Sequence, residues 1–543
     1  MNVEWRIPYV ILKSNYIHMN LSLKHKDIYF VGIILLAIGL PLSMFIMSIS
    51  QFILLGNWLI EGRLKEKLLI FRKNTLALSI ASVFLLHLLG LLYTSNFNYA
   101  LDDLRIKLPL FILPLVFSSS PQLKMKQFYI VLFFFIASVG IGTAMGMYRY
   151  MHMQAVDNSN IRDLITSISH IRFGLMLSLS IFMLWKFITD KKSELPFSNK
   201  QKFLFGLVLI WFICFMFILE AMTGIILSLI AIIVLLFIYI FQHKKIAYKL
   251  AGSLILIAIP FTIGTYLYYE YLAWFVPKPI DITKLETHTS HGNTYQHQIT
   301  CEVENGNYVQ TYVCMDELEQ EWNKKSTIDF TKSDNKGQDI RQTLMRFLTS
   351  KGLRKDADGV DGLSENDIKA IENGIANEMY VHKSSFKARI HQTLWEVNVF
   401  LNNGDPNAHS LLQRVEYMKA ALDIIKQHPL IGVGTGDIRD AFKIYYEETD
   451  SRLWPEWRNR THNQYLSLGV AFGIVGMLWF ILILLYPLSF SFVRKDFFYI
   501  VFFVIISLSM LSEDTIETQA GVTLFTFFQC LFLLVKASPI HKN

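Results

Sequence analysis

The sequence predicts an α-helical membrane protein that crosses the bilayer about twelve times. Of its 543 residues, 52% are hydrophobic, and the mean hydropathy is +0.36. The apolar residues form long runs, and residues 203–241 contain a single charged side chain, Glu220. Because one span needs about 20 apolar residues, this run alone suits two spans.

Each predicted span is an apolar run between polar or charged loops. A Gly-Leu-Pro sequence at 39–41 leaves open whether residues 28–60 form one kinked span or two. The predicted spans lie near 28–42, 44–60, 74–93, 106–118, 127–147, 171–188, 203–220, 224–241, 250–271, 463–486, 497–512 and 519–536.

The Lys and Arg residues indicate the orientation of these spans. They concentrate in short loops that alternation of the spans places on one side: 61–73, 119–126, 189–202, 242–249 and 489–496. Short loops rich in Lys and Arg stay in the cytoplasm, so we expect both termini there, with no cleavable signal peptide. The net charge of +7 is then a topology signal and does not indicate nucleic-acid binding.

The same orientation places the long polar segment 272–462 and the acidic turn 512–518 outside the cytoplasm. The predicted segments are 1–27 (cytoplasmic), 28–271 (spans 1–9), 272–462 (a periplasmic α+β loop domain), 463–536 (spans 10–12) and 537–543 (cytoplasmic tail). In the loop domain we predict a β-hairpin turning at Asn305-Gly306. Helices are predicted near 315–325, 338–350, 364–376, 384–401 and 410–428.

Two cysteines lie in this loop, Cys301 and Cys314. The predicted hairpin register places Cys301 opposite Gln310 and Cys314 opposite His297, which separates the two thiols. We therefore favour free thiols, although an exported loop would permit a disulfide.

The stretch KDADGVDGLSENDI, residues 355–368, has two interpretations. A calcium loop needs ligands and a glycine at set positions, and counting from Asp356 the pattern fails at Val360, Asp361 and Asp367. The alternative is a turn followed by a helix that Ser364 caps, with Asp367 completing a capping box. We favour the cap.

Residues 410–437 combine an apolar stripe with a misplaced cation. Helical spacing aligns five apolar residues, Leu411, Val415, Met418, Leu422 and Ile425. Arg414 falls within that stripe. It either packs its stem and extends its charge to water, or it holds an anionic ligand under the loop domain.

After Pro429 follows a Gly-x-Gly-x-Gly run that contains Gly434. It succeeds a helix, so it is not a dinucleotide-binding loop. A flexible turn and an anion-binding loop of backbone N–H groups both remain open.

Further ionisable residues collect at the predicted external ends of the spans. His170 and Arg172 open the sixth span, and Glu220 closes the seventh. A charged residue at membrane depth is a functional candidate because its insertion costs about 2.5–3.5 kcal/mol, although a helix-end position or a salt bridge would explain each residue too. Before and at the tenth span stand Arg458, Arg460, His462 and Asn463.

Three features resemble the O-antigen ligase and polymerase superfamily of bacterial inner-membrane glycosyltransferases. They are the stretch from Arg414 to PLIGVGTGD, the HNQYL and FGIVG sequences of residues 462–476, and a large external loop before the last spans. The stretch RFLTSKGLRKDADGV looks like a Bacteroidetes-type branch.

The resemblance implies a fold of the GT-C kind and an inverting transfer without metal or other cofactor. The donor would be a polyprenyl-diphosphate-linked glycan, and the acceptor lipid A–core, another repeat unit or a protein hydroxyl. Arg414 would stabilise the leaving diphosphate and His462 would orient or deprotonate the acceptor. Arg172, Arg458, Arg460 and Gly434 would contact the diphosphate, with His170, Glu220 and Asn463 in support.

One position departs from the family pattern. Members often carry Ser-Arg-Thr-Gly after the seventh span, whereas this chain has Ala221-Met222-Thr223-Gly224. Arg172, Arg458 or Arg460 would then supply the missing charge. A ligase acting on lipid A–core is the leading hypothesis, with a repeat-unit polymerase or protein O-oligosaccharyltransferase as alternatives. A transporter or lipid flippase is the alternative from another class, but the inverted repeats common in transporters are not visible.

Overall fold

The computed structural model describes residues 24–152, 164–165, 168–190, 197–242, 245–299, 302–381 and 386–536. Most of the predicted segment 1–27, the tail 537–543 and Cys301 lie outside these residues. The first eleven helices are α1 (His25–Leu42), α2 (Met44–Ile60), α3 (Leu64–Lys73), α4 (Thr75–Leu89), α5 (Phe97–Lys107), α6 (Pro109–Ser119), α7 (Met125–His152), α8 (His170–Thr189), α9 (Asn199–Ile218), α10 (Met222–Gln242) and α11 (Ile246–Phe275).

The remaining helices form the middle region, residues 276–463, and the last part of the bundle in chain order. They are α12 (Met315–Lys325), α13 (Ile340–Ser350), α14 (Ala357–Asp361), α15 (Glu365–Glu372), α16 (Phe386–Leu401), α17 (Ser410–Gln427), α18 (Ile438–Glu448), α19 (Gln464–Leu485), α20 (Ser491–Arg494), α21 (Phe497–Ser509) and α22 (Gln519–Cys530). We call the end of the bundle where the middle region joins α11 and α19 the loop end.

The protein is a multi-pass membrane protein, but with fewer spans than the sequence predicts. Within the described ranges, 8 helices are long and apolar enough to cross a membrane, or up to 9 if α2 and α3, bent by 116°, form one broken span. The predicted spans at 106–118, 497–512 and 519–536 correspond to shorter helices. At 1.5 Å per residue, the 13 residues of α21 reach about 20 Å of the roughly 30 Å hydrocarbon core.

These shorter helices lie in the interior of the bundle. Every residue of α22 from Ala520 to Cys530 is buried, and α6 packs against α22 and α4. By contrast, α11 leaves most of its apolar side chains exposed, as a lipid-facing helix should. The prediction of twelve spans was wrong because run length does not separate interior helices from complete spans.

The Gly-Leu-Pro sequence ends α1 in a tight hairpin, so residues 28–60 form two helices. Ser43 is extended between them, and its hydroxyl accepts the N–H of Ile46 at 3.3 Å. A Cβ at Gly39 would lie 2.6 Å from the N atom of Met47. Glycine is therefore required for this close approach.

The middle region is largely helical and has a second apolar core around Trp322 and Phe347. The predicted helices are all present, and Ser364 and Asp367 form the expected capping box. The predicted α+β character is reduced to a hairpin with two-residue strands, β1 (Val303–Glu304) and β2 (Asn307–Tyr308), joined at Asn305-Gly306. Too few backbone groups pair there to make a sheet layer.

The hairpin keeps the predicted register only near its turn. Val303 pairs with Tyr308, but further out Gln296 pairs with Val313, which shifts the predicted pairing of the outer residues. Cys314 is a buried free thiol, as expected.

Candidate active site

Helix α17 presents a different face to the bundle from the predicted one. Its buried side includes Tyr417, Ala420 and Ala421, and it packs against α19. Leu411 and Leu422 of the predicted stripe are 36% and 47% exposed. The prediction was wrong for these two leucines but correct for Ile425, which is buried. The buried face is rotated from the predicted stripe toward the two alanines.

Arg414 lies at the edge of that buried face and points to the acidic turn, residues 512–518, between α21 and α22. Its Nη2 atom lies 3.2 Å from Oε1 of Glu513. The Arg414 side chain is 38% exposed, whereas that of Glu513 is 11% exposed. The guanidinium is thus held on one side and open on the other.

Arg172, in the first turn of α8, lies near the same turn. Its charge acts on the carboxyl of Glu513 together with that of Arg414. Its buried Nε has no hydrogen-bond partner among the described residues. A Cβ at Gly521 would lie 3.1 Å from that Nε and 1.8 Å from the carbonyl oxygen of Thr515, so glycine is needed where the turn passes Arg172.

His462 adopts a backbone conformation that is unusual for a residue with a side chain. Its φ is +49°, in the left-handed region that costs an L-residue about 1–2 kcal/mol. The Thr461 hydroxyl bridges past His462 to Asn463. It accepts the N–H of Asn463 at 2.8 Å and donates to the carbonyl oxygen of Asn463 at 2.8 Å. Asn463 then caps α19 through the N–H of Leu466.

The surroundings of the His462 imidazole favour its neutral form. Burial lowers its pKa below the ordinary value, and neighbouring guanidinium groups act in the same direction against the carboxyl of Asp514. These groups belong to Arg172, Arg414 and Arg460. The ring also lies 5.7 Å, between centroids, from that of Tyr417. A neutral imidazole can accept a proton near neutral pH.

Two carboxyl groups of the acidic turn complete the cluster, and the sequence prediction missed both. Burial raises the pKa of Asp514, and the charge of Glu517 adds to this effect. Burial also raises the pKa of Glu513 against two opposing arginines. The available signal was an acidic turn on the same predicted side as the arginines.

Arg460 and Arg458 differ in their surroundings. Arg460 Nη1 donates to Tyr99 Oη at 3.1 Å and lies 3.4 Å from Glu517 Oε2. Arg458 donates its Nε to the carbonyl of Leu453, within its own loop. Arg460 therefore belongs to the cluster, whereas the hydrogen bond of Arg458 stays within its own loop.

His170 and Glu220 lie half-buried at the loop end. His170 begins α8, and Glu220 occupies the turn before α10 with φ +51°. A Cβ at Gly174 would lie 3.2 Å from that of Ala221, so the Glu220 turn borders the first turns of α8.

The glycine-rich loop fills a break in α19. Helical geometry is lost at Phe472 and Gly473, and the N–H groups of Val433 and Gly434 donate to the freed carbonyls of Val470 and Ala471 at 2.9 Å each. The N–H of Gly436 donates to Thr94 Oγ1. These donors are occupied, so the loop packs the bundle and Gly434 does not offer its N–H to a diphosphate.

The arrangement joins two arginines, Arg414 and Arg172, to the His462 imidazole and two buried carboxyls. Residues 371–481 match the O-antigen ligase (Wzy_C) family. The chain carries an O-antigen ligase domain. The chain is accordingly an enzyme with an O-antigen ligase domain, the domain of ligase- and polymerase-type glycosyltransferases. No curated protein matches the chain significantly.

The O-antigen ligase domain supplies only part of the cluster. Three members, Arg414, Arg460 and His462, fall within the matched residues. Arg172 precedes these residues in the chain, and the acidic turn follows them. The family also implies lipid-linked glycan substrates in general. This match supports an enzyme rather than a transporter or a lipid flippase.

Proposed function

We propose that this enzyme transfers a glycan from a polyprenyl-diphosphate-linked donor to lipid A–core at the periplasmic face of the bacterial inner membrane. The observation that carries the proposal is the convergence of Arg414, Arg172 and His462 on one acidic turn. The stretch RFLTSKGLRKDADGV supports, within the same proposal, a Bacteroidetes-type branch.

In the proposed reaction the acceptor hydroxyl oxygen attacks the anomeric carbon of the donor sugar. The bond from that carbon to the diphosphate oxygen breaks with inversion, without metal or other cofactor. His462 takes the acceptor proton through its neutral imidazole. Polyprenyl diphosphate leaves as an anion, and its growing charge is stabilised by Arg414 and Arg172.

The open side of Arg414 supports this assignment. A guanidinium bound on both sides by carboxylates would have no donor to offer, but Arg414 retains exposed surface beside its contact with Glu513. The Nε of Arg172, which has no hydrogen-bond partner in the described ranges, offers a second donor. Planar guanidinium groups suit phosphate oxygens because they can bind two at once.

The test is complementation of a strain that lacks the gene, with glycolipids as the measurement. Arg414→Ala and His462→Ala are each expected to abolish long-chain glycan on lipid A–core, a fall of about 100-fold or more for loss of a transition-state contact. Lys419→Ala is the matched control, because Lys419 is a cation of the same helix that pairs outward with Glu416. The Lys419→Ala enzyme should transfer glycan at the wild-type level.

The accumulated products in the deletion strain distinguish the alternatives. Free polyprenyl-linked long chains with bare core support a ligase, core bearing one repeat indicates a polymerase, and underglycosylated proteins indicate an oligosaccharyltransferase. Normal long-chain glycan with either Arg414→Ala or His462→Ala would refute the assigned roles.

A further inference from the structure

Beneath the cluster lies a buried group of four charges, which we call the ion network: Asp103, Lys107, Arg460 and Glu517. Lys107 Nζ lies 2.8 Å from Glu517 Oε2 and also pairs with Asp103, one helical turn earlier on α5. Arg460 contacts the same Glu517 oxygen at 3.4 Å. The Lys107 side chain has 0% exposure and that of Glu517 has 3%.

The ion network is neutral as a whole, with two cations and two anions. Losing one member leaves an uncompensated charge in a buried site, whereas losing a cation and an anion together preserves neutrality. Asp103 Oδ2 has no hydrogen bond within the part of the chain that the structure describes, so Asp103 depends on Lys107 for compensation.

The ion network connects three separate segments of the chain at the site. Gln464, the first residue of α19, donates to Glu517 Oε1 at 3.0 Å and accepts the N–H of Ile516 at 2.7 Å. His462 lies just before Gln464, and Asp514 lies just before Ile516. Lys107 of α5 thus anchors, through Glu517, both the segment that carries His462 and the acidic turn.

We propose that Lys107, balanced by Asp103, is a positioning residue for glycan transfer: through Glu517 it holds the acidic turn and the segment 460–464 so that His462 faces Asp514 and Arg414. The inference rests on the proposed function. Lys107 itself touches no substrate, because its side chain has no exposed surface. Arg460, bound to the same carboxylate, is assigned to this network rather than to the donor diphosphate.

The test uses the full-length enzyme in detergent with a polyprenyl-diphosphate-linked glycan as donor. Lys107→Met and Asp103→Asn are each expected to lower kcat by on the order of 10–100-fold, the effect of misplacing catalytic groups by about 1 Å. The KM for the donor should stay near the wild-type value, because Arg414 and Arg172 are unchanged. The double variant Asp103→Asn/Lys107→Met is neutral again but still lacks the contact with Glu517, so its folded yield should recover while its kcat stays as low as that of Lys107→Met.

Lys67→Met is the control for a purely structural effect. Lys67 is also buried and pairs with Glu61 at 2.9 Å, but it lies on α3, in a predicted cytoplasmic loop. Its loss should reduce the folded yield without changing kcat of the folded enzyme.

Three results would overturn the proposal: wild-type kcat in both single variants, wild-type kcat in the double variant, or an equal loss of kcat in Lys67→Met. Arg414→Ala and His462→Ala, measured in parallel, separate this inference from the proposed function. If those two variants are active, the proposed function fails. If they are inactive while Lys107→Met is normal, only the positioning role fails.

Discussion

At the scale of single residues, the site concentrates groups in unfavourable states. His462 has a left-handed backbone, Arg172 keeps an unpartnered buried Nε, and Asp514 is a buried carboxyl whose pKa is raised. Such departures are typical of functional sites, where the rest of the fold supplies the stability. Replacing one of them should therefore stabilise the protein while harming its activity.

Asp514→Asn tests this expectation. Because burial raises the pKa of Asp514, the folded state is destabilised relative to the unfolded chain as pH rises through that raised value. The amide does not ionise and escapes this loss. The unfolding temperature of Asp514→Asn should exceed that of wild type by an amount that grows as the pH rises above about 4, the ordinary pKa of an aspartate. Glycan transfer should fall.

Asp102→Asn is the matched control for Asp514→Asn, because the Asp102 side chain is 69% exposed. The difference in unfolding temperature between Asp102→Asn and wild type should not change over the same pH range. A flat difference for Asp514→Asn would show that its carboxyl is not penalised in the folded state.

At the scale of elements, the break in α19 and the loop 429–436 form one structural unit. The loop N–H groups occupy the carbonyls that lose their helical hydrogen bonds at the break. In return, the N–H of Ile474 donates to the carbonyl of Pro429 in the loop. Gly473 has φ +67°, and a Cβ there would lie 2.4 Å from the carbonyl carbon of Leu430. The two glycine-containing motifs of the sequence thus require each other.

Gly473→Ala is expected to destabilise the protein by about 2 kcal/mol or more, since a left-handed L-residue alone costs about 1–2 kcal/mol and the methyl group overlaps the loop. Thermal unfolding in mild detergent measures the loss. Gly206→Ala in α9 is the control, because a Cβ there meets nothing within 4 Å. It should be neutral or stabilising by about 0.5–1 kcal/mol, and equal stability of the two variants would contradict the interlocking of loop and helix.

At the scale of the whole molecule, the sequence predicts helices better than it predicts their packing. Composition and run length identify the membrane bundle and the helices of the middle region. They do not reveal that α21 and α22 are interior helices, or that α17 buries Ala420 and Ala421 while Leu422 is 47% exposed. Packing between distant segments decides both outcomes.

The same limit applies to the site. Arg414, Arg172 and His462 are predictable, because a charge beside an apolar run is conspicuous. Glu513 and Asp514 are not, since an acidic turn between two helices looks like an ordinary solvated loop. Only their burial against Arg414 and His462 distinguishes them.

Orientation is the prediction that belongs to the whole molecule. In a background without native cysteines, Glu319→Cys on α12 should react with a membrane-impermeant maleimide in intact spheroplasts. Lys65→Cys on α3, in a predicted cytoplasmic loop, should react only after permeabilisation. Both positions are exposed, so the reverse pattern would place the middle region in the cytoplasm and exclude a periplasmic transfer.

The location of the acidic turn along the chain has a consequence for biosynthesis. Ribosomes make Arg172 first, then Arg414 and His462, and the turn with Glu513 and Asp514 only afterwards. Until α21 and α22 have entered the bundle, the cations lack their carboxyl partners and Lys107 lacks Glu517. A nascent chain therefore cannot complete the proposed site early, and we expect activity to begin only once α21 and α22 have been inserted.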